Sequence, residues 1–299
     1  MLAAALLRMY GKRTVKMKTK WFKQVGAFFA AVYLISGLLW TPVLLSGQGM
    51  STTANKLTVA LITFVPSLLG ILFVYLTRDR EGRQDFWRRV LRWPRGRTRY
   101  AVAAMCLPAV LAFGAYFLAA AADGRSIQLA YASEMLRTPG MLFQFLAVEL
   151  LFGAVSEELG WRGFALDQLQ SRWNALTASL ILGIVWGLWH LPAFFVPGLA
   201  QYEMRSPTTM ALFVVIVILG SVLQTWGYNN TGRSILVGGI LMHFFANAAV
   251  VFTNGIFSGY AATPSYSYIQ IALNLLAVIT ITAIWKPQNL ARTPASEAM

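Results

Sequence analysis

The chain has 299 residues, 57% of them hydrophobic and 12% charged, with a mean hydropathy of +0.58. So much apolar surface exceeds what one soluble core buries, which excludes an ordinary globular enzyme and marks an all-α polytopic membrane protein. Lysine and arginine number 25 against 11 acids, a net charge of +14; in a membrane chain such an excess reports topology, and no nucleic-acid partner is expected.

Residues 1–24 form a basic segment expected on the cytoplasmic side. Its opening "MLAAALL" is too short for the apolar region of a cleaved signal, and the cluster "KRTVKMKTKWFK" runs directly into the first span, which reads as a retained signal anchor. A bilayer core of about 30 Å asks for roughly 20 apolar residues per helix. Windows of that kind lie near 25–46, 57–77, 101–121, 141–161, 176–197, 208–227, 234–253 and 267–285, giving about eight transmembrane helices in one membrane domain, 25–286. Between the second and third lies "RDREGRQDFWRRVLRWPRGRTRY", expected as a short interfacial helix with Phe86, Trp87, Leu91 and Trp93 on lipid and arginines at the headgroups. The single cysteine, Cys106, falls in an apolar run and is expected to pack as a small hydrophobe. The polar tail 287–299 is expected to be disordered.

With the N-terminus inside, 21 of the 25 basic residues fall on the cytoplasmic side and 4 outside. That orientation suits an inner membrane of bacterial type and puts the glutamates of "AVSEELGWRGFALDQL" near the cytoplasmic end of the fourth span.

Within the spans few polar groups need explaining: Glu149, Glu157, Glu158, His190, His243 and Asn247, with Arg162 at a border. Burial of such groups costs several kcal/mol unless they are paired or hydrated, so each is a candidate functional residue. Glu157 and Glu158 point about 100° apart on a helix, whereas Glu158 and Arg162 are spaced i,i+4 and can pair, leaving Glu157 as the freer carboxylate. Glu149 has no evident role. In "LGIVWGLWHLPAFFV", Trp186 and His190 are i,i+4, Gly183 and Gly187 allow a close helix approach, and Pro192 should end the helix. In "LVGGILMHFFANAAV", His243 and Asn247 share one face.

Three polar faces on three helices favour one common cavity inside the bundle. Its groups suffice for hydrolysis in two ways. In one, Glu157 and His190 bind and activate water while His243 and Asn247 donate to the oxyanion, with no cofactor. In the other, Glu157, His190 and His243 hold a zinc ion, although no H-E-x-x-H motif is present. Ser156 and Ser179 lie near the spans without the glycine-flanked setting of a serine nucleophile.

The ordered set E-E-x-x-x-R (Glu157, Glu158, Arg162), aromatic-x-x-x-H (Trp186, His190) and H-x-x-x-N (His243, Asn247) resembles the CPBP family of intramembrane proteases, which includes CAAX prenyl proteases and bacteriocin-processing and immunity proteins. The resemblance covers about residues 140–255, including the polar turn "NNTGRSI" from Asn229 to Ile235. It implies an eight-helix endopeptidase with Glu157, His190, His243 and Asn247 in the water-activating and oxyanion roles, and Glu158 and Arg162 supporting them. Trp186 departs from the family's usual phenylalanine, a change expected to affect packing more than chemistry. The implied partner is a membrane-tethered peptide or protein. The alternatives are a non-catalytic immunity or scaffold protein of the same family, or a transporter using the same groups as a relay, although no inverted repeat is visible.

Overall fold

The computed structural model describes residues 2–127, 129–254 and 263–291, with the side chains of 2–23, 130, 131 and 254 left out. Among the described residues eight helices are long and apolar enough to cross a membrane. In chain order the elements are α1 (Leu2–Ser46, its apolar part Gln24–Ser46), α2 (Thr53–Thr77), α3 (Arg80–Leu91), α4 (Thr98–Ala122), α5 (Ala130–Arg137), α6 (Pro139–Gln170), α7 (Ala175–Trp189), α8 (Pro207–Asn230), α9 (Leu236–Thr253) and α10 (Pro264–Trp285). All eight apolar windows are realised, and the protein is an integral membrane protein of all-α architecture.

Packing is set by small residues where backbones meet. A Cβ at Gly70 of α2 would lie 2.5 Å from the Cα of Gly160 in α6, and one at Gly183 of α7 would lie 2.7 Å from the Cα of Ile218 in α8. A Cβ at Gly238 of α9 would collide with the backbone of Tyr228 in α8. At these points the helices touch main chain to main chain, which is how apolar helices gain contact area in lipid.

The central helix, α6, is not regular. Two π-helical stretches, Glu149–Val155 and Trp161–Ala165, flank the single α-helical turn Ser156–Gly160, and a third, Leu236–Leu241, opens α9. Such stretches loosen the backbone ladder and recur at functional sites. Here a second helix satisfies the loosened groups: Ser67 Oγ on α2 donates to the carbonyl of Val155 (2.8 Å) and accepts from the N–H of Leu159 (3.1 Å), the pair that a regular α-helix joins directly.

Three expectations are corrected. Phe86 does not face lipid; it is fully buried, and a Cβ at Gly163 would lie 2.7 Å from its ring, so one face of α3 docks on the bundle while Trp87, Leu91 and Trp93 remain exposed. Cys106 is exposed on the outside of the bundle rather than packed within it, because the inner face of α4 is formed by Ala101, Ala104, Ala112 and Ala115. The start of the tail is docked: the carbonyls of Gln288 and Pro287 accept from the N–H groups of Ala175 and Leu176, and Asn229 and Asn230 donate to the carbonyls of Asn289 and Leu290 at 2.7 Å each. These residues serve as the N-terminal cap of α7. Residues 292–299 of the expected disordered tail lie outside the described residues.

Candidate active site

The central turn of α6 presents Glu157 and Glu158 in different directions, as adjacent helical residues must. Glu158 is fully buried and Arg162 lies one turn on, with Nη1 at 2.9 Å from Glu158 Oε1. His243 Nδ1 approaches the same oxygen at 2.9 Å, and because a carboxylate only accepts, Nδ1 carries the proton. Gln224 of α8 completes the group: its Oε1 accepts from Arg162 Nη2 and its Nε2 lies 3.5 Å from Glu158 Oε1. A Cβ at Gly239 would stand 3.2 Å from Glu158 Oε2, so that glycine keeps the other oxygen clear.

Glu157 has another environment. Its Oε2 accepts from two indole N–H groups, Trp161 at 3.1 Å and Trp186 at 2.6 Å. Its Oε1 faces His190 Nε2 at 4.0 Å. That separation is too long for a direct hydrogen bond, but an oxygen about 2.8 Å from both atoms would subtend an angle of about 90°, close to the tetrahedral preference of water. His190 Nδ1 meets the carbonyl of Trp186 at 2.8 Å; the carbonyl can only accept, so in the neutral ring Nδ1 bears the proton and Nε2 offers its lone pair towards Glu157. The local backbone holds this pose. α7 ends at Trp189, and Leu191–Phe195, with Pro192 near its start, forms a 3₁₀ turn that keeps the His190 ring against Trp189 and Phe213.

Trp186 corrects its expectation. It is not only a wall: its N–H bonds Glu157, Arg162 lies 4.4 Å over its ring, and the rings of His190 and His243 meet it at 5.9 and 5.2 Å. A phenylalanine would keep the wall and lose the donor. The zinc alternative asks Glu157, His190 and His243 to converge, and among the described residues no three His, Cys, Asp or Glu groups are gathered closely enough to hold a metal ion. Ser156 and Ser179 donate to the carbonyls of Phe152 and Ala175 on their own helices at 2.6 and 2.5 Å, so neither is held as a nucleophile.

These groups border a cavity of about 660 Å³ whose polar lining includes Glu149, Glu157, His190, Gln224, His243 and Asn247, set among apolar walls such as Trp40, Phe213, Val217 and Val250. Glu149, for which the sequence offered no role, shares a hydrogen bond with Asn247. A Cβ at Gly153 would stand 2.9 Å from both Asn247 Nδ2 and Glu149 Oε2, so the glycine makes room for that pair. Glu158 and Arg162 stand behind the lining.

The cavity reaches one end of the bundle. Its lining runs from mid-bundle through Trp40, Gly198–Met204 and Tyr266, the end carrying the connections 47–52 and 196–206, whereas the Arg-rich connection and the turn 231–235 occupy the other end. The glutamates are not at the basic end of their span. The span continues to Gln170 through the buried turns after Gly160, so Glu157 stands a little past half-way along it.

Comparison with known proteins adds identity to this geometry. Residues 139–249, the segment holding every site residue, match the model described as type II CAAX prenyl endopeptidase Rce1-like. A curated CAAX prenyl protease 2 of Methanococcus maripaludis is 28% identical over 233 residues, covering 74% of this chain and 81% of the relative. Both matches support the CPBP family as the one this chain resembles. That similarity supports a peptidase, and the eight apolar helices make the protein an integral membrane one.

Proposed function

We propose that the protein is an intramembrane endopeptidase that hydrolyses a peptide bond of a membrane-associated peptide or protein with a water activated by Glu157 and His190. The observation that carries this reading is the facing pair of acceptors, Glu157 Oε1 and His190 Nε2, 4.0 Å apart at the cavity wall. Water held there donates one O–H to each. As its oxygen attacks the carbonyl carbon, Glu157 takes one proton; when the C–N bond breaks, Glu157 returns that proton to the leaving amine. The oxyanion that forms between these steps needs donors, and Asn247 through Nδ2 and His243 through Nε2, both residues of the same lining, can supply them. His243 donates from Nε2 when it carries both protons, and Glu158 supplies the counter-charge at Nδ1. Glu149 accepts from Asn247 and so turns its amide nitrogen, not its oxygen, towards the oxyanion. No cofactor enters the scheme.

A cavity of this size with mainly apolar walls suits an extended segment reaching it from the bilayer. The charge distribution favours an inner-membrane protein with the basic end inside. On that orientation the substrate enters from the opposite side, and a cysteine at Gln201 should react with an impermeant thiol reagent on intact cells while one at Arg95 should not. The deciding experiment compares wild type with Glu157→Gln on membrane-tethered peptides. Cleavage by wild type and its loss in a folded variant supports the reading; equal cleavage by both sinks it.

A further inference from the structure

At the end of the bundle opposite the cavity, the loop after α3 and the turn after α8 enclose a second depression of about 550 Å³, lined by Arg92, Arg95, Arg97, Trp93 and Gly232 among others. Three arginines line one small volume, and among the described residues none of them forms an ion pair. Of the carboxylates at this end, Asp85 pairs with Arg88 and Arg89 at 2.7 and 2.8 Å, Asp167 with Arg78, Arg89 and Arg233 at 3.3, 3.0 and 2.7 Å, and Asp79 caps α3 by accepting from the N–H of Gly82.

The arginines are nevertheless positioned. Arg92 Nη2 donates to the carbonyl of Gly232, and Arg97 Nη1 to that of Asn230 at 3.3 Å. Carbonyls orient a guanidinium without neutralising it. Gly232, at φ 68°, takes the left-handed turn that brings this carbonyl round, and any Cβ there would stand 2.9 Å from Arg92 Nη2. Arg92 Nε is buried with no partner. Burial and the neighbouring Arg88, Arg89 and Arg97 outweigh Asp85 and make Arg92 hold its proton less tightly than usual. Beside the group, Leu91 and Trp93 are exposed, at the level where indoles settle in the headgroup region.

We propose that this pocket binds a phosphate-bearing anion, presented either by the headgroup of an anionic phospholipid in the adjoining leaflet or as free phosphate. Two guanidiniums oriented by carbonyls, with Arg95 beside them, suit phosphate oxygens, because each forks two donors where an ammonium offers a point charge. The site stands apart from the hydrolytic centre and does not depend on its chemistry.

The test uses the full chain in a neutral detergent, with thermal unfolding and native mass spectrometry read against short-chain phosphatidylglycerol, phosphatidylcholine of the same chain length, and inorganic phosphate. Phosphatidylglycerol should raise the melting temperature and stay bound where phosphatidylcholine does not. Binding should weaken roughly five-fold for each arginine removed, in Arg95→Gln and in Arg95→Gln/Arg97→Gln. Arg95 is exposed and makes no contact that folding requires, so the single variant reads binding even if the double variant unfolds. An effect of inorganic phosphate equal to that of phosphatidylglycerol assigns the site to free phosphate, and an effect of the lipid alone assigns it to the headgroup. Phosphatidylglycerol acting no better than phosphatidylcholine, or binding Arg95→Gln as it binds wild type, overturns the proposal.

Discussion

Glu157 and Asp167 lie on the same membrane helix, about 15 Å apart along its axis, and their side chains are 7% and 8% exposed. Asp167 is saturated: Arg78, Arg89 and Arg233 lie within 3.3 Å of its Oδ2, and the Tyr228 hydroxyl donates to its Oδ1 at 2.7 Å. Those partners come from the end of α2, from α3, and from α8 with the turn after it, so one carboxylate ties four pieces of chain together. Glu157 has only two neutral indole donors, both on Oε2, and its Oε1 faces a ring nitrogen beyond bonding distance. Partners on both oxygens suit Asp167 to brace the fold, and donors on one oxygen leave Glu157 suited to the role proposed for it above.

The sharpest way to break this comparison is to neutralise each acid. Asp167→Asn removes the carboxylate that three arginines share, leaving only Arg89 with a second acid, and should destabilise the fold by roughly 3–5 kcal/mol, read as loss of monodisperse protein or a large fall in Tm. Glu157→Gln should leave Tm within a few degrees of wild type and lower kcat about 10²–10⁴-fold. If both variants lose stability alike, the two carboxylates do the same work and the distinction fails.

A smaller effect is expected at the oxyanion side. Asn247→Ala should lower kcat about 10²–10³-fold with KM little changed, because the donor acts only as charge develops. Trp186→Phe keeps the ring over Arg162 and removes the N–H that fixes Glu157; roughly ten-fold lower kcat with unchanged Tm is expected, in line with the loss of a charge-assisted hydrogen bond. Unaltered turnover would return this residue to the role of a wall.

The smallest effect concerns pH. Burial pushes the Asp85 carboxyl up, but Arg89 and Arg88 outweigh it and hold the group below its ordinary value. A depressed carboxyl contributes stability that is fully present above its unfolded-state pKa and is lost as pH falls through the folded value. Acid unfolding of wild type should therefore steepen below the usual carboxylate range. Asp85→Asn should flatten that limb while costing at most about 1 kcal/mol at neutral pH, since the pair is partly solvated.

Much was legible from the chain itself. Each long apolar run became a span, because a backbone in lipid must satisfy its own hydrogen bonds and does so as a helix. The i,i+4 spacing of Glu158 and Arg162 fixes a contact that no distant segment is needed to create, and Gly183 and Gly187 announced a close helix neighbour without naming α8 as that neighbour. The grouping of the three motifs in one lining was foreseen from the cost of leaving polar groups in hydrocarbon.

Other features depended on partners far along the chain. Ser67 enters the α6 ladder from 88 and 92 residues away, Gln224 reaches Arg162 across 62, and Tyr228 reaches Asp167 across 61. A lone serine, glutamine or tyrosine on an apolar helix carries no local sign of which group it will meet. The same holds for the depth of the site. Window hydropathy ends the fourth span near residue 161, because the arginine and aspartate beyond it look like an interface, whereas the structure neutralises both inside the protein and carries the helix on to Gln170. Periodicity and hydropathy are local sums over a few turns and so determine helices. Which end of the bundle holds the cavity, and which carboxylate is left short of donors, follow from charges cancelling between segments that only the folded chain brings together.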